Sequence, residues 1–247
     1  MLYVVGVGLV PGHVTKDAID VIKGCERVLI DVYTVPAVGG QVEELEEVVG
    51  RKMERAERSD LEEGAEGLVE EAREKDVAVV TFGDPLTATT HVALTLVAEK
   101  KGVAWRYVPG ISIFTYVPSR IGLEHYKFGW TVTIPHQWRY APSFYDRIRG
   151  NLKARMHTLV LLDVGEKAMG VREGLEAIIY WAERIGRGWE KVVGVARAGH
   201  PDEKILYGNP EDLLEENWPD PPHSLVIPGK LHPVEEEALR RFDRGER

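Results

Sequence analysis

Residues 2–15 read LYVVGVGLVPGHVT. An apolar run at 2–7 is broken by Gly6 and Gly8, and Pro11, Gly12 and Thr15 follow. The run predicts a buried first strand, and the glycines predict a tight turn. Thr15 predicts the cap of a helix whose apolar positions are Ala18, Ile19 and Ile22 and which stops at Gly24. "RVLID" (27–31) is then a second strand, and helices are expected over 41–49 and 61–75. "DVAVVTF" (76–82) is a β-branched strand ending at "GDP", 89–101 reads as a helix, and "VAWRYV" (103–108) is another strand. Strand and helix alternate, which predicts a mostly parallel sheet covered by helices.

"VPGIS" (108–112) punctuates the chain, and the expected domains are 1–109 and 110–247. Beyond it the pattern is mixed. "WTVTIP" (130–135), "HTLVLLDV" (157–164), "KVVGVARA" (191–198), "KILYG" (204–208) and "HSLVIPG" (223–229) read as strands. Helices are expected over 143–155, capped by Ser143, and over 168–185, 211–217 and 234–242. Two strands in succession predict an antiparallel component. The terminal "DRGER" is expected to fray.

Composition narrows the classes. Among 247 residues, 44% are apolar and no run reaches the ~20 apolar residues of a membrane-spanning helix. No signal peptide is recognisable, and the one cysteine, Cys25, permits no intrachain disulfide, so a reducing, cytoplasmic setting is expected. A net charge of −9 argues against general nucleic-acid binding and suits a cationic cofactor or a basic protein partner. The mixed-charge stretch at 43–63 reads as solvated helix faces.

Gly6, Gly8 and Gly12 form G-x-G-x-x-x-G, and Asp31 follows Gly8 by 23 residues, close to a dinucleotide fingerprint. The third glycine is one place late, and Pro11 removes an N–H that a pyrophosphate would use. A nucleotide or sulfonium cofactor and a purely structural turn both remain open. "TFGDPLTATTH" (81–91) places Asp84 just after a strand, where open α/β sheets bind ligands. Ligand contact and helix capping are both open for it. Cys25 has no evident basic partner, and the eight histidines show no metal-ligand spacing.

"GVGLVPGHVT", "GDPLTATTH" and "PGISI" together resemble the tetrapyrrole methylase superfamily of S-adenosylmethionine-dependent methyltransferases. "YKFGWTVTIP", "SFYDRIRG", "HTLVLLD", "ARAG" and "PPHSLVIPGKLHP" extend the resemblance, in order, to the diphthine synthase family over residues 2 to about 235. The resemblance implies two α/β domains, a mostly parallel N-terminal sheet and a mixed C-terminal one, with the cofactor cleft between them. It implies methylation of the amino group of a 3-amino-3-carboxypropyl-histidine on translation elongation factor 2, three times, to give diphthine. It also implies a homodimer. Carried over by motif, the cofactor contacts are Leu9, Asp84, Thr87, Ser112, Ile113, Leu162, Ala198 and His223. No catalytic side chain and no metal are implied, because an amine near its ordinary pKa of about 8 needs no dedicated base.

Two departures stand out. Residues 10–15 are "VPGHVT", where the family carries an acidic-polar stretch with an Asp before Ile-Thr. An extra residue in "SIFTYVPSRIGLEHY" (112–126) implies a bulged or shifted helix. A quaternary ammonium product suits aromatic faces, so Trp138, Tyr140, Phe144 and Tyr145 read either as a rim for the acceptor or as packing. The rival functions are a precorrin-type methyltransferase of the same superfamily, a non-catalytic cofactor-binding module and a nicotinamide enzyme.

Overall fold

The computed structural model describes residues 1–34, 38–165 and 167–246. The chain divides into two compact units, Met1–Ile113 and Phe114–Arg247. The first contains β1 (Leu2–Gly6), α1 (Lys16–Gly24), β2 (Arg27–Asp31), α2 (Gln41–Val49), β3 (Glu54–Ala56), α3 (Arg58–Leu61), α4 (Ala65–Glu71), β4 (Val77–Thr81), α5 (Val92–Lys101) and β5 (Trp105–Val108). Its sheet has the order β3-β2-β4-β1-β5, and every neighbouring pair is parallel.

Both faces of this sheet are covered, which is why β4 is a continuous apolar run rather than an alternating one. Ala78 and Val80 point into a core with Ile22 of α1 and Leu45 of α2. Val77 and Val79 point into a second core with Leu68 of α4 and Leu94 of α5. The Thr15 side chain accepts the Ala18 N–H at 3.1 Å, so α1 starts where the sequence predicts.

Two features depart from the sequence reading. The helix expected over 61–75 is broken at Gly64, whose main chain lies so close to Asp60 that a Cβ would sit 2.4 Å from its carbonyl oxygen. Strand β3 was hidden in the charged stretch, because only Ala56 of its three residues is buried. Glu46 braces that edge. It accepts the Met53 N–H at 2.9 Å and pairs with Lys52 and Arg55. Burial pushes its carboxyl up, but Arg55, Lys52 and the Met53 amide bring it down to about 2.

The helix α6 (Ile113–Ile121) starts at the last residue of the first unit, and the second carries the rest of it with β6 (Val132–Ile134), α7 (Ser143–Lys153), β7 (Thr158–Leu162), α8 (Val171–Ile185), β8 (Val192–Ala196), β9 (Lys204–Gly208), α9 (Pro210–Leu214), β10 (His223–Ile227) and α10 (Pro233–Arg240). The sheet order is β6-β7-β10-β8-β9. β6 and β7 are parallel, and the other three pairings are antiparallel. One face packs Val160, Leu225 and Val192 against Ile148 of α7 and Leu175 and Ile178 of α8.

Three local expectations are corrected here. Ser143 is the first residue of α7 rather than its cap; Pro142 stands at the cap and no side chain bonds there. α6 runs unbroken through Pro118, without the implied bulge. Arg244–Glu246 form a 3-10 turn in which Arg244 pairs with Glu216 at 2.7 Å, so the tail is held there; Arg247 lies outside the described residues.

A buried polar network ties β7 to α10. His157 is fully buried, accepts the Gly229 N–H on Nδ1 at 2.9 Å and meets Glu235 Oε1 through Nε2 at 3.1 Å. Glu235 also accepts the main-chain N–H groups of Glu124 and His232 and pairs with Lys127. Burial raises its carboxyl, yet these donors bring it down to about 2. Glu235→Ala leaves four donors without their acceptor, one of them on buried His157, and we expect a loss of about 3 kcal/mol in urea unfolding. Glu235→Gln, which keeps an acceptor oxygen, is expected to lose less.

Candidate functional site

Three turns meet at the carboxyl ends of β1, β4 and β5. After β1, Gly8 takes a φ of 78° and exchanges two main-chain hydrogen bonds with Gly83, which follows β4 and also has a φ of 78°. The distances are 3.2 Å from Gly8 N to Gly83 O and 2.8 Å in the other direction. Gly110, after β5, closes the cluster. A Cβ on Gly110 would lie 2.1 Å from Gly83 O, and one on Gly6 would lie 2.6 Å from Gly110 N. These are main-chain contacts with no flexible side chain to yield, so only glycine fits at both positions.

Asp84 fastens this cluster. Its Oδ1 accepts the Leu86 N–H at 3.0 Å and the Thr87 hydroxyl at 2.9 Å. Its Oδ2 accepts the Tyr107 hydroxyl and the Gly110 N–H, the latter at 3.2 Å. A carboxylate offers about four acceptor sites, and protein donors take four. Burial, with the Asp84 carboxylate beside it, pushes the Tyr107 phenol up to about 12, so it remains a donor at any physiological pH.

The glycine loop is not a phosphate cradle. Its Gly8, His13 and Val14 N–H groups bond to Gly83, Val10 and Pro11 carbonyls within the fold. The unusual 10–15 segment forms a 3-10 turn, Pro11–His13, with Pro11 at its start. The Leu9 carbonyl accepts from buried Gln41 at 2.8 Å. Asp31, the acid a dinucleotide reading would place on a ribose, is buried. It accepts the Tyr33 and Thr34 N–H groups on Oδ1 and meets His91 Nε2 through Oδ2 at 3.1 Å. Burial raises this carboxyl, and the nearby His91 ring with the Thr34 and Tyr33 amides more than offsets it. The acid of the nicotinamide fingerprint is thus committed within the fold.

In the first unit, Leu9, Asp84 and Thr87 therefore share the glycine edge, and Ser112, buried, with Ile113 follows directly from Gly110. In the second unit, Leu162 ends β7, Ala198 follows β8 and His223 begins β10. Antiparallel pairing puts these three at one end of the sheet, with His223 opposite Ala196. Leu162 belongs to the core, packed where a Cβ on Gly174 would lie 2.7 Å from its Cδ2. Ala198 follows Arg197, which has a φ of 58° and pairs with Asp202 at 3.2 Å.

His223 serves as a helix cap. Gly170, before α8, has no side chain to offer, and His223 Nδ1 accepts the Val171 N–H at 3.0 Å. Its ring is neutral, with the proton on Nε2. Burial pulls the imidazole down to about 4, and Arg197 adds to the effect.

The aromatic cluster does not form an acceptor rim. Trp138, Phe144 and Tyr145 are buried in the core of the second unit, because their positions on the 138–140 turn and α7 face the sheet. Tyr140 alone is exposed, at 89%. Cys25 is buried, which pushes its thiol up to about 11 and leaves it inert at neutral pH. Sequence reasoning missed Tyr107, Gln41, His91 and Glu203. Glu203 accepts from Gly199 N at 2.9 Å, Tyr116 at 2.8 Å and Arg120 at 2.8 Å, joining the Ala198 turn to α6. Tyr107, His91 and Glu203 lie in or beside the motifs, and what hid them is that their partners, Asp84, Asp31 and Tyr116, stand 23, 60 and 87 residues away in sequence.

The His223 cap makes the second unit acid-sensitive. Its folded pKa lies below the unfolded value of 6.5, so its contribution is complete above 6.5 and drains away as pH falls toward about 4. We expect a loss on the order of 2–3 kcal/mol over that window, read by urea unfolding at several pH values. His223→Gln, an acceptor that does not titrate, is expected to flatten the profile.

The family profile described as Tetrapyrrole (Corrin/Porphyrin) Methylases matches residues 1–214. A diphthine synthase from Staphylothermus marinus is 38% identical over 97% of this chain and 92% of its own length. One from Methanocaldococcus jannaschii is 36% identical over 97% of this chain and 98% of its own. A crystal structure of diphthine synthase superposes with a TM-score of 0.90 at 33% identity, covering 99% of this chain and 97% of that one. The chain thus belongs to the tetrapyrrole methylases and, within them, to the diphthine synthase family.

Proposed function

We propose that this chain transfers methyl groups from S-adenosylmethionine to the amino nitrogen of a 3-amino-3-carboxypropyl-histidine on translation elongation factor 2. Three transfers give diphthine, a step of diphthamide biosynthesis. The observation that carries this reading is the near full-length likeness to diphthine synthases, 38% identical in the Staphylothermus marinus case. The same kinship supports a homodimer, and the single buried cysteine accords with a cytoplasmic location.

The residues present fit this cofactor. The glycine edge offers main chain uncrowded by side chains, with the Gly8, His13 and Val14 amides already committed, which suits a ligand without a pyrophosphate. The family likeness supports Leu9, Asp84, Thr87, Ser112, Ile113, Leu162, Ala198 and His223 as its contacts. Asp84 would act through the main chain it fixes and Leu162 as part of the core beneath the site. The cofactor supplies an electrophilic methyl on a sulfonium sulfur; the chain supplies alignment. The acceptor amine titrates near 8, so a useful fraction is neutral at physiological pH without a base from the protein.

Mass spectrometry of elongation factor 2 carrying the unmethylated residue, after incubation with this protein and S-adenosylmethionine, tests the reading. We expect a gain of three methyl groups on that histidine. No gain, with calorimetry still showing the cofactor bound, would reject the acceptor.

A further inference from the structure

We infer that the second unit carries a separate anion-binding pocket, suited to a small phosphate-bearing molecule, at the opposite end of its sheet from Leu162, Ala198 and His223. The cavity measures about 620 Å³ and is lined by the end of α7, the 188–191 loop before β8, Tyr207 of β9 and the 228–231 loop after β10. These segments flank the start of β7 and β8 and the end of β10, whereas the three predicted contacts sit at the other ends of those strands. Five-residue strands separate the two places by about 16 Å. The volume falls within the range of about 300–1,000 Å³ usual for small-ligand sites.

Charge identifies the ligand. Arg155, Arg187, Lys191 and Lys230 line the cavity against one acid, Glu190. That concentration is unexpected in a chain with a net charge of −9. Two of the cations are spent: Arg187 pairs with Glu211 and lies 4.6 Å over the Trp189 ring, and Lys191 pairs with Asp243 at 2.6 Å. Arg155 and Lys230 make no side-chain ion pair or hydrogen bond among the described residues.

The two unpaired cations spring from main chain that is held together. The Lys230 N–H donates to the Arg155 carbonyl at 3.3 Å. Between them Gly229 presses on Met156 so closely that a Cβ would lie 2.4 Å from its carbonyl oxygen. The Gly229 N–H is tied to buried His157, and so to Glu235. Arg155 is held at a φ of 63°, a left-handed conformation that L-residues rarely adopt. Like charges lining one cavity repel, and an anion within it relieves the cost. A guanidinium fork and an ammonium in the same cavity suit phosphate, while Leu152 and Leu231 offer apolar wall to an organic body.

Calorimetry of the whole protein with inorganic pyrophosphate and with ATP, at ~0.15 M salt, tests the assignment. We expect one saturable site with a Kd below about 1 mM, undisturbed by S-adenosylmethionine. Arg155→Gly, which suits the left-handed backbone, combined with Lys230→Gln should weaken it roughly tenfold or more while melting temperature and methylation hold. Lys230→Gln alone, at an exposed side chain, should weaken it in part. Equal affinity for both probes assigns phosphate as the recognised group, and tighter ATP adds a nucleoside to it. Absence of saturable binding, equal affinity in the double variant, or displacement by S-adenosylmethionine would overturn the assignment.

Discussion

Three stretches of main chain come closer together at the carboxyl edge of the first sheet than any side chain permits. Gly6 and Gly110 are fixed by that contact with the Gly83 carbonyl, and the Asp84 carboxylate locks it with four hydrogen bonds. The order β3-β2-β4-β1-β5 brings this about, since β4 and β5 both flank β1 and deliver their turns beside its own. The close approach in turn sets the course of the chain into Ser112 and Ile113. An alanine at Gly110 would push its Cβ into a carbonyl oxygen, so the sheet topology and the shape of the site are one constraint.

The second unit solves a different problem, holding a mixed sheet whose polar groups are buried. His223 caps α8 from the start of β10, and His157 links Gly229 to Glu235. Each imidazole is neutral because one ring nitrogen accepts a main-chain N–H and burial disfavours its charge. The two ends of that sheet have different chemistry. One carries the predicted cofactor contacts, and the other gathers four cations around a cavity.

Much of the fold was legible in the sequence. β2, α2 and β9 have the predicted bounds, because Gly, Asp and β-branched residues mark them plainly. β3 was not legible, since an edge strand with one buried residue looks like a charged loop. The site was legible as segments, not as roles. "GDPLTATTH" marks the right turn, but whether Asp84 faces outward or inward depends on Tyr107 and Gly110, more than twenty residues on. The resemblance implies a cofactor contact at His223, and only Val171, 52 residues upstream, shows what its ring accepts. The aromatic cluster left rim and packing both open, because local density of rings says nothing about which side of α7 they face.

The central claim is that Asp84 shapes the site by clamping main chain and does not spend its carboxylate on the ligand. Paired calorimetry of Asp84→Asn, measuring thermal unfolding and S-adenosylmethionine affinity on the same sample, addresses it directly. The asparagine amide would oppose the Gly110 N–H with a second donor, so the account predicts that melting temperature and affinity fall together. An affinity lost by tenfold or more at an unchanged melting temperature would mean that the carboxylate meets the ligand itself, and would contradict it.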